Sequence, residues 1–119
     1  MRVNHRTDGE TTLIELHVQD LDIGIVGDIK AQLESILGTD SRVILDLEDV
    51  EFMDSSGAGL LVWLRRRLQA ASSELVLCGL SPQVHLVLES LQFSRIFVIT
   101  GNREEAKLID PTSQAAKRS

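Results

Sequence analysis

The stretch Val43-Ile44-Leu45-Asp46-Leu47-Glu48-Asp49-Val50-Glu51-Phe52-Met53-Asp54-Ser55-Ser56-Gly57-Ala58-Gly59-Leu60-Leu61 decides the fold. Val43 to Leu47 is apolar on both faces except at Asp46, the pattern of a central strand covered on both sides in a parallel or mixed sheet. After Phe52-Met53 polarity switches to Asp-Ser-Ser-Gly, and a helical stripe begins. Leu60, Leu61, Leu64, Leu68 and Ala71 recur at helical spacing from about Ser55 to Ala71, with Arg65-Arg66-Arg67 partly facing water. The junction reads as strand, loop, helix start. Asp54 suits the N-cap, where its carboxylate can accept from first-turn N–H groups and meets the positive end of the helix dipole. Ser55 and Ser56 then sit in the first turn with hydroxyls near solvent.

Upstream, Val3 to Arg6 reads as a short edge strand turned by Asp8-Gly9 into a second strand, Thr11 to Val18. Val26, Ile29, Leu33 and Ile36 or Leu37 mark a first helix, with Asp22 placed to cap it and Gly38 to end it. Gly24 and Gly27 each cost about 1 kcal/mol of helix propensity relative to Ala, which predicts a mobile Asp20 to Gly27 segment. Ile23, Ile25 and Val26 form an apolar cluster that the sequence leaves open between core and docking patch.

Downstream, Leu75 to Cys78 is another buried strand. Ser81-Pro82 starts a third helix with Val84, Val87 or Leu88, and Leu91 on its stripe. Ile96 to Ile99 is a last strand, and Asn102 to Ile109 a closing helix. The tail from Thr112 has no apolar anchor and is expected to be disordered. Strands alternating with helices predict one α/β domain, an open mixed sheet of four to five strands with about four helices and right-handed crossovers. In such sheets sites gather where strands hand over to helices, the position of Asp54 to Gly57.

Composition removes several classes of function. At 119 residues and 43% hydrophobic, the chain can bury a core without disulfide staples. Its 12 basic and 18 acidic residues give a net charge of -6, which argues against a grip on nucleic acid or anionic membrane. The single Cys78 cannot form an internal disulfide, so a reducing cytoplasm is expected. Met1 to Arg6 does not resemble a secretory segment, and no apolar run approaches the roughly 20 residues of a membrane span.

The residues around Ser55 fail the Gly-x-Ser-x-Gly pattern of a serine nucleophile. His5, His17 and His85 are scattered, without metal-ligand spacing. Gly57-Ala58-Gly59 is followed by Val62 at the third position of a dinucleotide fingerprint, and no Gly-Lys-Ser/Thr completes a phosphate loop. These small residues are read instead as letting the helix start pack tightly against its strand. No catalytic residue, metal or cofactor of its own is therefore expected. A receiver-type phospho-aspartate domain could use Asp46-Leu47-Glu48-Asp49 and Asp54 as its acidic pocket, with Asp20 and Asp22 holding a cation. It also needs a Lys after a late strand, and none follows Cys78 or immediately follows Ile99.

Leu45 to Gly59, with Asp54-Ser55-Ser56-Gly57-Ala58-Gly59 at its end, resembles the signature of STAS domains of the anti-sigma factor antagonist type. The order of elements over about residues 3 to 109, including Leu80-Ser81-Pro82, also fits. The resemblance implies a STAS domain over 1–110 and a tail over 111–119. It implies that Ser55, or alternatively Ser56, is phosphorylated by a partner kinase, and that Asp20, Asp22, Asp54, Ser55, Ser56 and Gly57 meet the partner. The implied partners are an anti-sigma factor with serine kinase activity, which binds the ATP itself, and a metal-dependent serine phosphatase. Asp22 matches the acidic residue that family members use for partner contact. Gln19-Asp20-Leu21-Asp22 departs from the family's Gly-Glu-Leu/Ile-Asp at Gln19, within the partner-facing loop. With Asp20, Asp22, Asp46, Asp49 and Asp54 close by, a phosphate on Ser55 is expected to repel an acidic partner surface. A STAS subunit that carries no phosphate, in a larger assembly such as a lipid-transport complex, is the alternative.

Overall fold

The computed structural model describes residues 2–38 and 42–108, so the expected tail over 111–119 and the expected helix end at Ile109 lie outside the described residues. In chain order the elements are β1 (Val3–Asp8), β2 (Thr11–Leu16), β3 (Asp20–Leu21), α1 (Val26–Ile36), β4 (Arg42–Asp46), β5 (Phe52–Met53), α2 (Ser55–Ala70), β6 (Glu74–Cys78), α3 (Pro82–Ser90), a 3-10 turn at Phe93–Arg95, β7 (Val98–Thr100) and α4 (Arg103–Lys107). The main sheet runs β1-β2-β4-β6-β7, with the β1–β2 hairpin antiparallel and every other pairing parallel. β3 and β5 pair separately, also in parallel.

Side chains alternate across a strand, so the unbroken apolar run of β4 feeds two cores. On one face Val43 and Leu45 join Ile14, Leu75 and Leu77, and α1, α2 and α3 close over them with Leu33, Leu61, Leu64 and Leu88. On the other, Ile44 packs with Leu13, Val76, Cys78 and Val98 beneath Ala106 of α4. All five residues of β4 are buried, as a strand covered on both sides requires. Both ends of α4 are fastened to the sheet. Arg103 pairs with acids on β2 and β4, and Arg42 Nη1 donates to the carbonyls of Ala106 and Lys107 at 3.5 and 3.3 Å.

Several boundaries differ from the sequence reading. The first ladder continues past Arg6 to the Asp8–Thr11 pair, because the Asp8-Gly9 turn lets the strands stay in register to its edge. Asp22 does not cap α1: its carboxylate accepts from the Gly24 N–H at 3.0 Å in a local Asx-type turn, and α1 starts at Val26 with no side-chain cap. Leu37, with extended backbone, terminates α1 in place of Gly38. The α2 stripe closes at Leu68, and Ala71 is exposed in the turn. Leu91 is the C-cap of α3 and is exposed. The last strand begins at Val98, since the 3-10 turn draws the chain out of extended geometry before it.

Candidate functional site

Asp54 is the N-cap of α2, with Oδ1 accepting from the Gly57 N–H at 3.0 Å. Its second oxygen, Oδ2, accepts from the backbone N–H of Ile23 at 3.2 Å. One carboxylate thus holds both the helix start and the loop ahead of α1. The two segments are also joined by backbone: Asp20 lies opposite Phe52 and Leu21 opposite Met53, the Gln19 carbonyl accepts from Glu51 and Phe52 N–H, and the Leu21 carbonyl from Asp54 N–H. The segment expected to be mobile through Gly24 and Gly27 is therefore tied down along its first half. The propensity argument failed there because these contacts come from residues some 30 positions away.

Gly57 is required by the same junction. A Cβ on it would overlap the Leu21 carbonyl oxygen and lie 2.8 Å from Met53 Cγ, so only glycine lets α2 start this close to β3. A Cβ on Gly59 would meet nothing within 4 Å. Close packing therefore explains the first glycine and not the second. On the far side of β5, the carboxamide of Gln83 in α3 accepts from Met53 N–H at 2.8 Å and donates to the Met53 carbonyl at 3.0 Å. Ser81 caps α3 through the Val84 N–H and donates its hydroxyl to the Glu51 carbonyl at 3.2 Å. Gln83 carries no local pattern that would have singled it out in the sequence.

On this scaffold Ser55 is the first residue of α2 and is exposed, while Ser56 is half-buried beside a groove of about 320 Å³ walled by Val26, Leu60 and Trp63. Lys30 lies 4.9 Å from the Trp63 ring centroid, a cation–π contact at the groove. Asp20, Asp22 and Asp54 are brought to the same junction as Ser55. The structure also divides the apolar cluster: Ile25 and Val26 pack on the core, and Ile23 is 73% exposed.

Asp46 and Asp49 do not belong to this junction. Asp46 follows Ile44 onto the α4 face of the sheet, where its Oδ2 takes Arg103 Nη2 at 2.5 Å and Nε at 3.1 Å. Arg103 Nη2 also reaches Glu15 at 2.5 Å, and His17 bonds Asp49 at 2.7 Å. The hydrogen bond from Arg103 holds the Glu15 carboxyl below its usual range, and those it donates to Glu15 and then Asp46 push the Arg103 guanidinium higher still. An acid so engaged is a structural anchor for α4. Among the described residues no group of His, Cys, Asp and Glu is arranged to hold a metal ion, and no helix is long and apolar enough to cross a membrane.

The profile of the STAS domain matches residues 3–107, which spans every element from β1 to α4. The chain belongs to the STAS domain family. Over 82 residues it is 35% identical to the anti-sigma F factor antagonist of Lysinibacillus sphaericus, covering 67% of this chain and 69% of that one. A STAS domain protein of Planctomyces limnophilus, an anti-sigma factor antagonist, superposes with a TM-score of 0.77 at 27% identity over 87% of this chain and 92% of its own. The anti-sigma factor antagonist SpoIIAA in its unphosphorylated form gives 0.70 at 25% identity over 91% and 99%. The Bacillus protein has also been solved in its phosphorylated form, at 0.64 and 26% over 88% and 96%. As a STAS domain the chain is similar to binding regulators, and its mixed sheet with four helices is the family's architecture. Its Cys78 lies under α4, where burial, with Asp46 adding to it, pushes the thiol up to about 12.

Proposed function

We propose that this STAS domain is an anti-sigma factor antagonist working as a phosphorylation-controlled binding switch. The unmodified domain binds an anti-sigma factor that is also a serine kinase, and phosphorylation of Ser55 releases it. The observation that carries this reading is the exposure of Ser55 at the first position of α2, beside Asp54, in a chain whose relatives are anti-sigma factor antagonists. In the proposed step, Ser55 Oγ loses its proton and takes the γ-phosphoryl group of ATP bound by the kinase, and ADP leaves. A metal-dependent serine phosphatase hydrolyses the ester and resets the switch. The domain contributes a substrate hydroxyl and a docking surface, in the cytoplasm where ATP is available, and has no catalytic residue of its own.

Phosphorylation adds about -1.5 to -2 charges. The helix N-terminus tolerates that charge, so the domain stays folded. The kinase does not tolerate it, because its own nucleotide phosphates lie where the γ-phosphoryl group was transferred. Repulsion of about 3 kcal/mol would weaken binding roughly hundred-fold. Asp20, Asp22, Asp54, Ser55, Ser56 and Gly57 make up the partner-facing junction in this reading. The like charges around Ser55 are Asp20, Asp22 and Asp54 without Asp46, which is spent on Arg103.

Incubation with ATP and a purified anti-sigma factor kinase, followed by peptide mass spectrometry, tests the reading. Phosphate on Ser55 of the wild type, absent from Ser55→Ala, is expected. Undiminished uptake by Ser55→Ala with none on Ser56 would overturn the assignment. A wild type that takes no phosphate while binding a larger complex would favour the unmodified STAS subunit.

A further inference from the structure

Among the described residues, five large apolar side chains are exposed, and two of them belong to the junction around Ser55: Ile23 at 73% and Phe52 at 44%. They stand on the two segments that β3–β5 pairing zips together, Phe52 opposite Asp20 and Ile23 hydrogen-bonded through its N–H to the α2 cap Asp54. Neither is loose. Asp54 holds the Ile23 N–H, and Phe52 N–H is bonded to the Gln19 carbonyl. An apolar side chain carried on backbone held in this way has the backbone part of its ordering cost met before any partner arrives. The segments that carry and adjoin them hold charge of one sign. Residues 19–27, 50–59 and 79–85 contain Asp20, Asp22, Glu51 and Asp54 and no Lys or Arg.

Resting on the proposed switch, we infer that Ile23 and Phe52 are paired apolar anchors for the kinase, which seats them in two apolar pockets rimmed by Arg or Lys. The occupant is a pocketed protein surface with a basic rim, in place of the acidic partner surface expected from the sequence, so the repulsion on phosphorylation comes from its nucleotide. Its rim neutralises Asp20, Asp22 and Glu51, and its nucleotide faces Ser55 between the anchors. Apolar contact at the two flanks fixes the distance from nucleotide to Ser55 Oγ, and the surrounding charge speeds encounter. This assigns partner choice to the loop where Gln19 to Gly27 departs from the family pattern.

The test uses the whole chain and the anti-sigma factor serine kinases of its source organism, each purified and loaded with ADP, titrated by calorimetry. Ile23→Ser and Phe52→Ser should each weaken binding at least ten-fold with unchanged thermal midpoints, while Leu86→Ser, exposed on α3, should bind as wild type. Ile23→Thr and Phe52→Leu provide folded, milder variants should a serine variant lose its midpoint, with smaller losses of the same sign expected. Affinity should fall with added salt, and less steeply for Asp20→Asn/Asp22→Asn. Full affinity in the serine variants, equal losses in Leu86→Ser, or affinity that does not fall with salt would overturn the inference while leaving phosphorylation of Ser55 intact. If no kinase binds or phosphorylates the wild type, the switch itself is wrong, and the anchors with it.

Discussion

Ile23 is bound to Asp54 across the junction: the backbone N–H of the first donates to the carboxylate Oδ2 of the second at 3.2 Å, while the other oxygen caps α2 through Gly57. A single acid therefore sets both the start of the helix that presents Ser55 and the position of the loop beside it. Its role as a cap is a matter of stability, and its hold on the loop is a matter of recognition, so the two call for separate readouts on the same variant.

Asp54→Ala should lower stability by about 1–2 kcal/mol, the usual cost of losing an N-cap. Asp54→Asn should retain most of it, because the amide oxygen can still accept. Denaturant titration measures the loss, and amide exchange should quicken at both Gly57 and Ile23. Exchange that quickens at Gly57 alone would mean the loop is held without Asp54.

Gly57→Ala and Gly59→Ala should differ in sign. The first drives a methyl group into the Leu21 carbonyl and Met53, at a cost of about 1–3 kcal/mol. The second adds a methyl group in open space and gains helix propensity of up to about 1 kcal/mol. Thermal midpoints of the two variants check the pair.

The Arg103 network predicts an acid limb in the stability profile. Glu15 has its pKa lowered from 4.5 by Arg103, so the fold favours its ionised form. That contribution is present above the ordinary value and is lost as pH falls through the lowered one. The denaturant midpoint of the wild type should drop on acidification from about pH 6 to about pH 3, and Glu15→Gln should start lower and drop less.

Cys78, buried under α4 with its thiol pushed up to about 12, should not react with Ellman's reagent in the native protein near pH 8. It should react at once in denaturant. Arg103→Ala, which removes one fastening of α4, should raise the native labelling rate by permitting local opening.

Ser55→Asp should weaken kinase binding and leave the thermal midpoint within a few degrees, because the side chain is exposed at a helix N-terminus that accepts negative charge. Calorimetric titration and a melting curve on the same sample check both halves. A variant that unfolds would make Ser55 a structural residue.

What could be read from the chain and what could not divides along the distance between partners. The two-sided burial of β4, the α2 stripe and the caps Asp54 and Ser81 depend on residues within one or two turns, and the pattern disclosed them. The β3–β5 ribbon has two residues per strand, too few to show alternation, so in the sequence Asp22 has the pattern of a helix cap although it closes a local turn. Arg103 meets Glu15 across 88 positions, and Gln83 meets Met53 across 30. Neither has a local signature. Asp46, in its buried strand, looked like part of an acidic site because the sequence showed its neighbours along the chain and not the guanidinium opposite.

The carboxamide of Gln83 has a wider consequence. Exposed strand edges are templates on which another chain can add itself as a further strand. At β5 one side is occupied by β3, and the outward N–H and C=O of Met53 are both taken by Gln83. A visitor to this junction finds no backbone left to zip onto at Met53. It must read the domain by shape and charge, and a copy that opens transiently beside another has one fewer seam along which to stick.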